Sequence, residues 1–221
     1  RNNKIYNFYG FNSDGIDLGE GSKDILIEGN LILNCNDKGI SVGQASTTEI
    51  RKNLVISCAQ GVGIKDDSSF AFIDRNTFYN CDYGIASFEK NIGAGGGNAE
   101  IINSIFYHSV TDPVFVDDLS SLTVSHSLSN TKNLKGLENI KAEPNFSNNF
   151  FLNSNSPAIN SGNPARGLDP DGTRADMGAK YFHNEYQPLI INEINYNPVE
   201  GDISEFIEIY NTMNTPIDVS Y

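Results

Sequence analysis

Four asparagine-led segments recur along the chain at nearly constant spacing, and no other feature restricts the fold so tightly. They are Asn30-Leu-Ile-Leu-Asn-Cys35, Asn53-Leu-Val-Ile-Ser-Cys58, Asn76-Thr-Phe-Tyr-Asn-Cys81 and Asn103-Ser-Ile-Phe-Tyr-His108, their leading residues 23, 23 and 27 positions apart. A second series accompanies them: Gly15-Ile-Asp-Leu18, Gly39-Ile-Ser-Val42, Gly63-Ile-Lys-Asp66 and Gly84-Ile-Ala-Ser87. A fixed period of about 20 to 50 residues marks stacked repeats, none of which can bury its apolar face alone. The segments are short, rich in β-branched residues and separated by turn residues, so they read as strands. The expected fold is all-β, with each repeat one rung of a parallel β-helix of about five to seven coils.

The period assigns roles to individual residues. Equivalent positions on successive rungs lie about 4.8 Å apart, close enough for amide side chains to hydrogen-bond up and down a column. Asn30, Asn53, Asn76 and, less regularly, Asn103 are expected to form such a ladder at a corner, where Asn also tolerates a left-handed backbone. Cys35, Cys58 and Cys81 share the 23-residue spacing and are expected to fill one inward column as free thiols. Three cysteines on one line can neither pair completely nor surround a metal tetrahedrally. His108 falls in the same column. Ile16, Ile40, Ile64 and Ile85, each following a repeat glycine, are expected to point inward as one apolar column.

The formal net charge of −13, from 28 acidic against 15 basic residues, disfavours nucleic acid and anionic membranes as partners. No apolar run approaches the roughly 20 residues of a membrane span. Residues 1–141 are expected to hold the coils. The repeat is already under way at Gly15 without a polar cap before it, so earlier coils are expected to precede Arg1. Phe88 to Asn98, with Gly93, Gly95, Gly96 and Gly97, reads as an insertion between rungs. Residues 142–188, with Glu143-Pro-Asn-Phe146, Ser156-Pro-Ala-Ile159 and Asp169-Pro-Asp-Gly172, read as an irregular cap and linker. In 189–221, Leu189–Ile194 and Glu205–Tyr210 read as two strands joined by a turn-rich loop from Asn197-Pro198 to Asp202.

These motifs carry two resemblances. The repeat, with the ending Ser156-Pro-Ala-Ile-Asn160 and Asp169-Pro-Asp-Gly-Thr-Arg-Ala-Asp-Met-Gly-Ala179, makes residues 14–182 resemble bacterial right-handed parallel β-helix proteins of the pectate-lyase-like superfamily. Ile191-Asn-Glu-Ile194, Asn197-Pro198, Glu205-Phe-Ile-Glu-Ile-Tyr-Asn211 and Pro216-Ile-Asp-Val-Ser220 make residues 189–221 resemble the opening of a lamin-tail domain. Such a domain is an immunoglobulin-like sandwich of roughly 100 residues, so these 33 are expected to be its incomplete start. The combination is similar to segments of large secreted bacterial proteins, some carrying a spore-coat-protein-H-like kinase domain; no kinase motif occurs here. The resemblance implies an extracellular or bacterial cell-surface location, a polysaccharide or surface glycan as partner, and further domains on the parent polypeptide.

Candidate chemistry lies on one lateral face. Registering the Gly-Ile repeats puts Asp17, Ser41 and Lys65 in one outward column, with Lys65 about 10 Å from Asp17 across two rungs. A polysaccharide lyase or epimerase reading makes Lys65 the base, with Asp17, Asp66 or Asp67 neutralising a uronate or holding calcium, and Asp14, Asp37 and Lys38 binding substrate. The same residues also read as a solvated face whose salt bridges are each worth about 0–1 kcal/mol. Asp169, Asp171 and Asp176, with Gly172 at the bend, resemble a short calcium loop, though the favoured reading is turn and corner chemistry. No Arg joins the Lys65 column. The favoured expectation is therefore a non-catalytic stalk or glycan and adhesion surface, with the lyase or epimerase as alternative.

Overall fold

The computed structural model describes residues 1–183, 189–196 and 205–211, and the chain divides into two compact units, Arg1–Phe182 and His183–Tyr221. In the first unit three short strands make each turn. They are β1 (Lys4–Phe8), β2 (Ile16–Leu18) and β3 (Ile25–Glu28), then β4 (Leu31–Cys35), β5 (Lys38–Val42) and β6 (Thr47–Arg51). The third turn is β7 (Leu54–Ile56), β8 (Gln60–Lys65) and β9 (Phe70–Asp74); the fourth is β10 (Thr77–Tyr79), β11 (Tyr83–Phe88) and β12 (Asn98–Ile102). The fifth is β13 (Ile105–Tyr107), β14 (Asp112–Val116) and β15 (Ser121–Ser125), and β16 (Leu128–Ser129) and β17 (Ile140–Lys141) extend the first series. The first strands of the turns pair in parallel as one seven-stranded sheet, and the second and third strands form two five-stranded sheets. This is an all-β parallel solenoid.

Corners and ladder explain why the turns stack in one register. Gly29, Lys52, Arg75 and Asn103 occupy equivalent corners at φ of 68°, 54°, 54° and 51°. The next residue carries the ladder. Asn30, Asn53 and Asn76 are buried; the Asn30 amide N–H donates to Asn53 Oδ1 at 2.9 Å, and the Asn53 N–H donates to Asn76 Oδ1 at 2.9 Å. Asn103 is not the fourth member. Ser104 stands there, its Oγ accepting the Asn76 N–H at 3.3 Å, and Ser127 and Asn139 carry the column onward. The third interval is therefore 28 residues, one more than the Asn spacing implied. The same slip moves His108 out of the cysteine column. His108 is an exposed corner residue at φ 54°, equivalent to Asn34, Ser57 and Asn80, whereas Cys35, Cys58 and Cys81 are buried free thiols. Hydrogen bonding to Cys58 and then burial push the Cys35 thiol up, which keeps it protonated and inert.

The middle sheet departs from the expected alignment. Ser41 pairs with Gly63, and Gly63 with Ala86, so the inward column is Ile16, Ile40, Val62, Ile85 and Val114. Ile64 is buried, but in the next column, beside Val42 and Ser87. The glycine that repeats is Gly61 rather than Gly63. A Cβ on Gly61 would collide with the Phe78 ring and the Gly84 carbonyl, and one on Gly39 would stand 2.7 Å from Val55 and 2.8 Å from the Gly61 carbonyl. Backbone crowding at this corner, not the Gly-Ile dipeptide, selects the glycine.

Residues 142–182 belong to the same unit as the coils. Phe146 and Phe150 pack on Tyr79 and Tyr107, with ring centroids 5.0 to 5.5 Å apart, covering the outside of the first sheet. Leu152, Ala158 and Met177 build a second apolar cluster with Ile105 and Leu128. Asn103, displaced from the ladder, pins this segment: its Oδ1 accepts the Asn163 N–H at 2.6 Å and its carbonyl the Gly178 N–H at 2.7 Å. In the second unit β18 (Leu189–Asn195) and β19 (Phe206–Asn211) form an antiparallel pair with an irregularity between Ile191 and Glu193. The Asn197–Asp202 loop and Pro216–Ser220 lie outside the described residues. Among the described residues no helix is long and apolar enough to cross a membrane.

Candidate functional site

The outer face of the middle sheet, in strand order β2, β5, β8, β11 and β14, carries the charged residues singled out by sequence. Its first outward column runs through Lys38, Gln60, Tyr83 and Asp112, with Asp14 beside Lys38 on the preceding turn. The second runs Asp17, Ser41, Gly63, Ala86 and Phe115. Lys65 stands with Phe88 in a third. Lys65 is thus two residues along from the column expected for it, yet it still reaches Asp17.

Missing Cβ atoms allow this. The Lys65 stem lies across Gly43, its Cε 2.8 Å from where a Cβ would stand, and the Lys38 stem lies across Gly63 at 2.6 Å. Two long side chains therefore lie flat on the sheet and are nearly covered, Lys38 at 3 % and Lys65 at 8 % exposure. Lys38 Nζ sits 2.6 Å from Asp37 and 3.6 Å from Asp14, and Lys65 Nζ sits 3.8 Å from Asp17. Burial lowers the Lys65 pKa from its ordinary value, and the Asp17 carboxylate only partly opposes this. Ser41 Oγ and Gln60 Oε1 are buried beside these stems and have no hydrogen-bond partner among the described residues.

The neighbouring turns change character. Gln60, Tyr83, Ala86, Phe88, Phe115 and Asp117 line an open cleft of about 320 Å3, with the Tyr83 and Phe115 rings 5.5 Å apart and tilted by 56°. Charged and aromatic halves thus meet at Gln60 on one continuous face. The aromatic half escaped the sequence reading because its members come from different strand positions on different turns. The misregistered third Gly-Ile repeat also hid the columns they occupy.

The other candidates lie elsewhere. Asp66, adjacent to Lys65 in the chain, holds the 89–97 insertion: its Oδ1 accepts the Lys90 and Asn91 N–H groups at 2.8 and 2.9 Å. Burial of Asp66 opposes ionisation, but these amides outweigh it and lower its pKa. Asp67 is exposed at the same loop, its N–H donating to the Ala94 carbonyl. In the cap, Asp169 Oδ2 accepts the Asp176 N–H at 2.7 Å, and Asp176 accepts the Asn160 and Phe182 N–H groups. Asp171 Oδ1 accepts from Thr173 at 2.7 Å. These carboxylates shape turns, and among the described residues no group of three or more His, Cys, Asp or Glu is arranged to hold a metal.

A family model described as a right-handed beta helix region matches residues 1–95, which span the first three turns, β10, β11 and most of the insertion. The candidate face through β11 falls inside that match. Comparison with curated proteins and with solved structures gave no match.

Proposed function

We propose that this chain is a non-catalytic β-helix module of a larger secreted bacterial protein, and that the face formed by β2, β5, β8, β11 and β14 contacts glycan outside the cell or on its surface. In this reading residues 189–221 begin a lamin-tail domain, in keeping with the β18–β19 pair. The observation that carries the glycan reading is the aromatic cleft of Tyr83, Phe88 and Phe115 continuing through Gln60 to the buried Lys38 and Lys65. Flat rings suit the apolar faces of sugars, and Gln60 and Asp117 line the same cleft with polar side chains. A glycan array probed with the parent and with Phe115→Ala, with and without calcium, tests this. Selective binding by the parent, lost in the variant, is expected; no binding to any glycan, or equal binding by both, would refute it.

One observation favours the lyase or epimerase alternative: burial lowers the pKa of Lys65, as a general base requires, while Asp17 lies 3.8 Å away. Its decisive signal is the ultraviolet absorbance of an unsaturated uronate accumulating on pectate or alginate and disappearing in Lys65→Ala.

A further inference from the structure

A second cavity, of about 220 Å3, lies where the cap meets the solenoid corners. Three cations line it from two different segments. Lys52 and Arg75 come from successive left-handed corners, and Lys180 comes from the cap. The carboxylates in the wall are already engaged. Asp176 accepts two backbone N–H groups, and Asp169 accepts the Asp176 N–H through one oxygen and faces Arg75 at 3.7 Å through the other. Arg75 is further held by Asp74 at 3.3 Å, and Lys180 donates to the Asn149 carbonyl at 2.7 Å while lying 4.2 Å from the centre of the Phe151 ring. Lys52, by contrast, has no hydrogen bond or ion pair from its ammonium among the described residues. Like charges from two segments therefore converge on a space large enough for a small anion and its waters.

We infer that this cavity binds a small oxyanion, of the sulfate, phosphate or carboxylate class, which bridges Lys52 and Arg75 of the solenoid to Lys180 of the cap. Such an ion joins the three cations by charge-assisted hydrogen bonds and ties the cap to the coils. An anion that binds only the folded state raises stability in a saturable way.

The test is a titration with sulfate, phosphate and acetate, each against sodium chloride at equal ionic strength, read by amide chemical shifts and melting temperature. Sulfate also stabilises proteins generally by exclusion from their surface, so saturation and localisation are the informative features. Saturable shifts at Arg75, Gly178 and Ala179 are expected with at least one of the three, and the strongest identifies the anion class. Lys52→Gln, at an exposed corner, is expected to keep the melting temperature measured in chloride and to bind about tenfold more weakly, equivalent to about 1.4 kcal/mol. Linear, unlocalised responses to all three anions, or unchanged affinity in Lys52→Gln, would overturn the proposal.

Discussion

At the scale of the residue, one buried amide does the work of several turns. Asn53 donates through Nδ2 to the carbonyls of Ile27 and Arg51 and to Asn76 Oδ1, and its Oδ1 accepts from the backbone N–H and the side-chain Nδ2 of Asn30. Asn53→Ala strands these partners inside the protein, at about 1–3 kcal/mol for each group left unpaired. A loss of at least about 3 kcal/mol in denaturant unfolding is therefore expected; a loss below about 1 kcal/mol would mean the ladder is not what registers the turns. Asp176 makes a prediction in pH. Burial holds its carboxyl up at about 6. The folded state keeps this proton longer than the unfolded one, so the stability contributed is complete below about pH 4 and is lost as pH rises through about 6. Melting curves across that window should show a decline of the order of 3 kcal/mol, flattened in Asp176→Asn. An unchanged slope in the variant would assign the decline to other groups. The ladder members Asn30, Asn53 and Asn76 and the thiol column were legible because one residue type recurs at one period. Ser104 was not, since a hydroxyl can take the amide's place while the neighbouring Asn103 mimics the pattern.

At the scale of the element, the middle sheet shows where pattern reading fails. Gly61-Val-Gly-Ile64 contains two glycine–aliphatic pairs, and only crowding against Phe78 and Gly84 decides which one fits the corner. Shifting by two keeps every apolar residue inward, so alternation alone could not expose the error. It did misplace Lys65, whose contact with Asp17 depends instead on the stem crossing Gly43. The cap was foreseen as irregular chain, but its pinning by Asn103 and its packing on Tyr79 and Tyr107 join residues far apart in sequence with no period to reveal them. The insertion between β11 and β12 is likewise held by single carboxylates. Asp66→Ala removes the acceptor for the Lys90 and Asn91 amides. Hydrogen exchange should accelerate at those two residues while Val62 and Ile85 in the sheet beneath stay protected. Acceleration spread through β8 and β11 would mean the loop supports the sheet.

At the scale of the molecule, five turns and a cap offer one face where charge, orphaned polar atoms and exposed rings adjoin. The corners and the apolar interior account for the stack. The lysines lying across glycines, and the rings beside them, are not required by it. That separation between what stacks the coils and what decorates one sheet is the central claim. Titration of the isotope-labelled protein with the oligosaccharide that binds best on an array tests it most directly. Saturable amide shifts grouped on Gln60–Lys65, Tyr83–Phe88 and Asp112–Asp117 are expected; shifts centred on the sheet of β3, β6, β9, β12 and β15, or none at all, would contradict a decorated middle sheet.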